Sequence, residues 1–270
     1  MNTILSYSRA YGSRFEDFIV AAAEQEFSAV QLIPDQTPNL IVEFDSERRS
    51  SLRALAESLG VELHVHSVYY DINYTSLVPE VRDSSKAVVR SVIDLAKDIG
   101  GRSVTIHTGY MFGGWRSQEQ QTKNYWRNAE PSMRELGDYA ASRQMPLLIE
   151  NGSYYLTSAT GQHRTPLHIG VSPEELRAVV EMFGKAARIS LDLNKARVSG
   201  FGVDEHLSAN ADIIDQVQVS SEAAITENLP ELSDWTRCRG PDASFVLEGR
   251  REALRGVQQA LTRIESQSPH

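Results

Sequence analysis

Short apolar runs alternate with amphipathic segments along the whole chain. Several of these runs are apolar at nearly every position, which is typical of parallel strands covered by helices on both faces. The runs are also short enough to be strands rather than buried helices. The pattern therefore predicts strands at residues 3–8, 29–34, 62–66, 103–107, 146–150, 188–193, 216–220 and 244–248.

Between the runs, apolar residues recur at three- and four-residue spacing, the period of a helix with one buried face. Near the N-terminus, for example, Phe15, Phe18 and Ala22 fall on one side of such a segment. Gly60 ends another segment, as glycine commonly does at a helix C-terminus. The pattern predicts helices at residues 14–25, 46–60, 81–100, 118–143, 172–184, 203–214, 228–236 and 251–266.

Eight successive strand–helix units indicate a (β/α)8 TIM barrel. The turns from helix to strand are short, whereas the connections at 108–117 and 151–171, which follow strands, are long. Barrels of this class carry their active-site loops after the strands. An open doubly wound sheet is the alternative, but no Gly-x-Gly-x-x-Gly turn follows the first strand. We predict an α/β fold with a single TIM barrel domain over residues 1–270.

The composition of the chain limits which classes of partner the protein could bind. The formal net charge is -9 and no basic stripe is present, which argues against a nucleic-acid partner because phosphate binding needs clustered Lys and Arg. No apolar run reaches the ~18 residues of a membrane helix, and the N-terminus lacks a signal-peptide core. Cys238 is the single cysteine, so no disulfide can form within the chain. We expect a cytoplasmic protein without a membrane partner; a homo-oligomer is compatible with the sequence.

Polar residues stand at the ends of the later predicted strands. A barrel brings these ends into one ring, so the side chains should meet in one pocket. Carboxylates crowded there repel one another unless a cation or a shared proton intervenes, and such a donor set suits a divalent metal. The alternative is that each residue only marks where the chain leaves the core. The residues are His66, His107, Glu150, Asp192, Gln218 and Glu248. His64 is expected to face the helix layer instead.

The loops after the predicted strands combine aromatic rings with hydrogen-bonding groups, which suit a small carbohydrate-like substrate. The 151–171 loop is long enough to cover the pocket. The alternative is that these aromatic rings only pack the loops onto the barrel. We predict substrate contacts from His66, His107, Tyr69, Trp115, Arg116, Tyr154 and Asn194.

The order and spacing of the strand-end motifs resemble those of the xylose isomerase-like barrel superfamily. That superfamily includes sugar isomerases and epimerases, inosose dehydratases and DNA-repair endonucleases, and the resemblance spans nearly the whole chain. Its motifs here are His66 after the third strand, VTIHTGY with His107, LLIENGS with Glu150, SLDLNKA with Asp192, QVQVSSE with Gln218 and FVLEG with Glu248.

The resemblance implies an isomerase, epimerase or dehydratase that acts on a small carbohydrate or cyclitol. In the sugar epimerase branch, two glutamates pass a proton on and off the carbon beside a carbonyl group, and one divalent metal polarises that carbonyl. Glu150 and Glu248 would be the catalytic pair here. The metal, Mn, Mg or Co, would be held by Glu150, Asp192, Gln218 and Glu248.

Two positions depart from the family pattern, because Lys195 and Gln218 stand where the family usually has histidine. A protonated lysine cannot bind a metal, although it places a positive charge beside Asp192. Two alternatives therefore stay open. One is a metal-independent relative in which Lys195 is catalytic, by electrostatics or as a Schiff base. The other is a non-catalytic, sugar-binding barrel.

Overall fold

Eight parallel strands close into a barrel in the computed structural model, which describes residues 1–111, 119–156, 164–166, 168–249 and 251–267. Around the barrel the strands follow the order β1-β10-β9-β8-β5-β4-β3-β2, and β6 pairs with β7 in a separate antiparallel hairpin. The strands are β1 (Asn2–Ser6), β2 (Ala29–Leu32), β3 (Glu62–His66), β4 (Val104–His107), β5 (Leu147–Glu150), β6 (Tyr154–Leu156), β7 (Arg164–Pro166), β8 (Arg188–Asp192), β9 (Ile214–Val219) and β10 (Ser244–Leu247).

Helices surround this barrel. Short 3-10 turns lie at Arg9–Tyr11, Ile41–Glu43 and Gly240–Asp242. Among the described residues, no helix is both long and apolar enough to span a bilayer. The α-helices are Phe15–Ala23, Ser46–Leu59, Pro79–Asp98, Glu119–Ser142, Pro173–Phe183, Leu193–Ser199, Val203–Asn210, Glu222–Thr226, Leu229–Arg239 and Arg251–Gln267.

The TIM barrel predicted from the apolar pattern is confirmed. The open doubly wound sheet is excluded because β1 pairs with both β2 and β10 and so closes the sheet. The pattern missed the hairpin and two short helices, Leu193–Ser199 and Glu222–Thr226. These helices are too short to show a helical period, and they begin at capping side chains, those of Asp192 and Ser221.

The faces of the strands divide the interior into two parts. Residues that point outward from the barrel join the helices in one large apolar core. Among the inward residues, Ile4, Ala29 and Val246 form a small separate apolar cluster. Above that cluster the interior is mostly polar, and Gln31 donates a hydrogen bond to Thr105 at 3.3 Å. The inner face of the barrel therefore becomes polar towards the C-terminal ends of its strands.

The prediction that His64 faces the helix layer is wrong. Residues two apart on a strand point to the same side, so His64 lies on the same face as His66. Its Nδ1 is 2.8 Å from the hydroxyl of Ser103, and burial lowers the pKa of this imidazole to about 4. His64 is thus a neutral, hydrogen-bonded histidine below the mouth of the barrel.

We expect Gly137→Ala to destabilise the barrel. A Cβ atom at position 137 would lie 1.8 Å from the carbonyl oxygen of Phe183, where two helices of the outer layer touch. In an open helical site the same change would stabilise by about 1 kcal/mol, but overpacking here should cost about 2 kcal/mol or more. Urea unfolding measures the difference. Arg127→Ala, on the exposed side of the same helix, is the control, and a stabilised Gly137→Ala protein would contradict the close contact.

Candidate active site

A cavity of about 550 Å³ opens at the C-terminal ends of the barrel strands. Its position follows from the parallel sheet, which brings all strand ends to one mouth. Polar and aromatic side chains from opposite sides of the barrel line it together. They are Ser6, Tyr7, His66, Tyr69, Tyr70, His107, Tyr110, Glu150, Asp192, Lys195 and Glu248, with Ile33 and Gly249.

Glu150, at the end of β5, is the centre of the polar contacts. Its side chain is 2% exposed, and Oε2 lies 2.9 Å from Nε2 of His66 and 3.0 Å from Nε2 of His107. Its other oxygen, Oε1, accepts a hydrogen bond from Nζ of Lys195. Burial alone would raise the pKa of Glu150, but the charge of Lys195 and the two histidines hold it well below its usual range. Glu150 is therefore ionised.

The two histidines beside Glu150 have pKa values that are shifted in opposite directions. Nδ1 of His66 donates to the carbonyl of Ser67 at 2.8 Å, while Nε2 faces Glu150. Burial lowers the pKa of His66, but the hydrogen bond and charge of Glu150 outweigh burial and raise it. Burial and the charge of Lys195 lower the pKa of His107 to about 3. The site therefore contains one imidazole that favours the charged form and one that is neutral.

Lys195 reaches Glu150 from the first turn of the helix Leu193–Ser199. Asp192 ends β8 and caps this helix, because its Oδ1 accepts from the backbone N–H of Lys195 at 2.9 Å. The Lys195 side chain is 18% exposed, and Nζ lies 3.3 Å from Nε2 of His107. Burial lowers its pKa, but Glu150 and Asp192 outweigh burial and raise it. Asp192 and Lys195 thus both line the cavity, and the lysine is an ammonium ion.

Two further carboxyl groups face this ion pair. Burial raises the pKa of Glu248 to about 7, and the negative charges of Glu150 and Asp192 act in the same direction. Burial raises the pKa of Asp192 to about 6, although Lys195 opposes the shift. Two glutamates in one cavity thus have pKa values displaced in opposite directions. Such pairs commonly divide the roles of acid and base.

Aromatic rings form the other side of the cavity. The ring of Tyr69 stacks on His107 with centroids 5.1 Å apart and planes at 18°, and its hydroxyl donates to that of Tyr70 at 2.9 Å. Tyr7 follows β1 and also lines the cavity. Tyr7 and Ser6 were not among the residues predicted from the sequence, although both stand at the C-terminal end of the first strand. Their position at a strand end was the feature of the sequence that could have identified them.

The structure does not bring every predicted residue to the cavity. Asn194 is exposed, and its Oδ1 accepts from Arg197 at 3.1 Å, outside the described lining. Gln218 is buried below the cavity, where its Nε2 donates to Ser190 at 3.0 Å; its Oε1 has no hydrogen-bond partner among the described residues. Trp115, Arg116 and the side chain of Tyr154 lie outside the described part of the chain, as do residues 157–163 and 167 of the expected loop cover. Their roles stay predictions.

A buried group at the mouth has the donor atoms for a metal ion. His66, His107 and Glu150 each offer one ligand atom, and these atoms lie within 4.8 Å of one another, so the group could hold an ion. The charge of the site does not fit a resident divalent ion, however. Nζ of Lys195 is already bonded to Glu150 and close to His107, so the ion would lie beside a buried ammonium and be repelled by it.

Comparison with known proteins agrees with this architecture. Residues 19–228 match the family described as xylose isomerase-like TIM barrel, and the chain belongs to this family. No curated protein matches the chain in sequence.

Solved structures share the fold at low sequence identity. A D-tagatose 3-epimerase-like protein superposes with a TM-score of 0.78 at 18% identity, with 100% of each chain covered. D-psicose 3-epimerase from Clostridium cellulolyticum H10 gives 0.74 at 13%, again covering 100% of both chains. The 3-keto-D-glucoside 4-epimerase of E. coli gives 0.73 at 14%, covering 98% of this chain and 99% of that one.

The raised pKa of Glu248 predicts a pH-dependent stability. The folded protein keeps a proton that the unfolded chain, with a glutamate pKa of ~4.3, gives up. This contribution is complete below about pH 4 and is lost as the pH rises to about 7. Each tenfold difference in proton affinity is worth about 1.4 kcal/mol. Glu248→Gln cannot ionise, so the melting temperature of the unchanged protein should fall relative to this variant between pH 4.5 and 7.5.

Thermal unfolding across that pH range measures the effect, with Glu47→Gln, an exposed glutamate on the helix Ser46–Leu59, as the control. Parallel curves for Glu248→Gln and the unchanged protein would show that Glu248 does not titrate in this range.

Proposed function

We propose that the protein is an enzyme that moves a proton beside a carbonyl group of a small carbohydrate or cyclitol, as an isomerase, epimerase or dehydratase. The observation that carries this proposal is the cavity itself. Glu150, Glu248 and the Lys195 ammonium surround this one space, and the pKa values of the two glutamates are shifted in opposite directions. Its aromatic side suits the apolar face of a sugar ring.

The similar structures support the same chemistry. The D-psicose 3-epimerase and the 3-keto-D-glucoside 4-epimerase bear names that place the inverted carbon next to a ketone. Inversion at such a carbon proceeds by removal and return of its proton. A ketose or a keto-sugar is therefore the first substrate class to test.

We assign the proton transfer to Glu248. A general base or acid works best when its pKa is near the working pH, and burial brings that of Glu248 to about 7. Glu150 is a weaker base because three donors surround its carboxylate. An isomerisation can be completed by one acid–base group on one face of the substrate. An epimerisation needs a second group on the opposite face, and Glu150 is our candidate for that role.

The oxygen that becomes negative during this transfer needs a positive charge nearby. The family resemblance suggests Mn²⁺, Mg²⁺ or Co²⁺ for this purpose. No step of our proposal uses such an ion, because Lys195 already occupies the carboxylate cluster. A Schiff base on Lys195 is not favoured either, since the nucleophile would have to be the neutral amine and the surrounding carboxylates keep it charged.

Exchange of substrate hydrogen with D2O tests the proposal. A panel of ketohexoses, keto-glucosides and keto-cyclitols would be followed by NMR, and deuterium should appear at a carbon next to the carbonyl. Glu248→Gln should lower this exchange by about 100-fold or more, the usual contribution of a positioned acid–base group. Glu47→Gln should leave it unchanged. In an epimerase, Glu150→Gln should lose interconversion of the epimers.

Full exchange in Glu248→Gln would refute the assignment of Glu248. Calorimetric binding of a sugar with no exchange in the unchanged protein would instead identify a non-catalytic, sugar-binding barrel.

A further inference from the structure

The mouth of the barrel concentrates negative charge. Glu150, Asp192 and Glu248 stand at or just beyond the ends of three strands and line one cavity. Carboxylates in a partly dry site repel one another strongly unless a cation lies among them. The ammonium of Lys195 lies among these carboxylates: it bonds Glu150 and interacts electrostatically with Asp192 and Glu248, while His66 also faces Glu150.

The local fold directs this ammonium to the cluster. Asp192 caps the helix Leu193–Ser199 through the backbone N–H of Lys195, which fixes the lysine in the first helical turn. Asn151 braces the same strand end, because its amide donates to the carbonyl of Asp192 at 3.1 Å and its Oδ1 accepts from the N–H of Asp192 at 2.7 Å. The backbone that carries Lys195 is therefore held from both sides.

The ligand atoms that an ion would need are engaged with other partners. Oε1 of Glu150 accepts from Lys195, and Oε2 faces the ring nitrogens of His66 and His107 at 2.9 and 3.0 Å. Gln218 stands where the family pattern has a histidine, but its side chain lies below the cavity and donates to Ser190. An ion could bind only by breaking the contacts of Glu150 and by displacing the ammonium.

We infer that the ammonium of Lys195 takes the place of a resident divalent ion, so that the protein catalyses its proton transfer without a metal. This inference rests on the function proposed above. In the reaction, the C–H bond beside the carbonyl breaks and its proton passes to the carboxylate of Glu248. The electron pair of that bond forms the C=C bond of an enediolate, and the carbonyl π pair moves to oxygen. Lys195 donates a hydrogen bond to this oxygen anion. Return of the proton from Glu248 to the same carbon gives exchange with solvent; return to the neighbouring carbon, with transfer of the enediol hydroxyl proton to the other oxygen, gives the isomer.

Metal analysis tests the inference directly. Elemental analysis of protein purified without added metal should find far less than one divalent ion per chain, and treatment with EDTA should leave deuterium exchange unchanged. Calorimetric titration with Mn²⁺ should show weak binding or none, because a divalent ion must displace the ammonium. Elemental analysis and the Mn²⁺ titration need no substrate. They therefore test whether Lys195 replaces a metal ion even if the panel of sugars yields no turnover.

Substitutions at position 195 separate charge from shape. Lys195→Met should lower exchange by about 100- to 1000-fold, the usual loss when one donor to an oxyanion is removed, and should tighten Mn²⁺ binding at least tenfold by exposing the carboxylates. Lys195→Arg keeps the charge and should continue to exclude Mn²⁺, which guards against the case that Lys195→Met does not fold. Lys97→Met, at an exposed position of the helix Pro79–Asp98, should match the unchanged protein in both measurements.

Three results would overturn the inference. One is a stoichiometric ion that copurifies with the unchanged protein and whose removal abolishes exchange. Another is equal Mn²⁺ affinity in the unchanged protein and in folded Lys195→Met. The third is borohydride trapping of substrate on Lys195, which would show covalent chemistry in place of an electrostatic role.

Discussion

The buried ion pair between Lys195 and Glu150 is the interaction on which the rest of the site depends. Glu150 is almost completely buried, and an isolated charge at that depth is costly. Lys195 and His66 help to keep its carboxylate ionised, and that negative charge adds to burial in raising the pKa of Glu248. Removing one partner of such a pair typically costs about 3–5 kcal/mol, because the other charge is left without compensation. This contact therefore contributes to the protonation of both glutamates, together with the burial of Glu248 and the histidines beside Glu150.

The barrel makes this contact possible at low entropic cost. Glu150 and Lys195 belong to consecutive strand–helix units of the closed barrel, because β5 pairs directly with β8. Each is held by regular structure, Glu150 by a strand and Lys195 by the first turn of a capped helix. Groups held by regular elements keep their relative positions more closely than groups on loops. The ion pair is thus ordered before any substrate binds.

Two residues near this mouth, Lys195 and Gln218, depart from the pattern that the family resemblance implies, and Lys195 changes the charge of the site. The family resemblance implies that the carboxylates at the strand ends, Glu150, Asp192 and Glu248, could hold a metal ion. Lysine at position 195 brings a positive charge of its own, and glutamine at position 218 turns to a hydroxyl below the cavity. A cation supplied by the chain can stabilise the same developing negative charge as a metal ion, although with a single charge.

The order of apolar runs was enough to predict the barrel, because strand and helix periods are local properties of the chain. Five of the polar side chains named at strand ends, those other than Gln218, line one cavity for the same reason: parallel strands present their ends at one mouth. Tertiary contacts decided the rest. Asn194 and Lys195 are neighbours in sequence, yet only Lys195 points into the cavity, since the short capped helix turns them to different sides. The opposite pKa shifts of the two glutamates also arise only in three dimensions, because they depend on which charges burial places beside each carboxyl group.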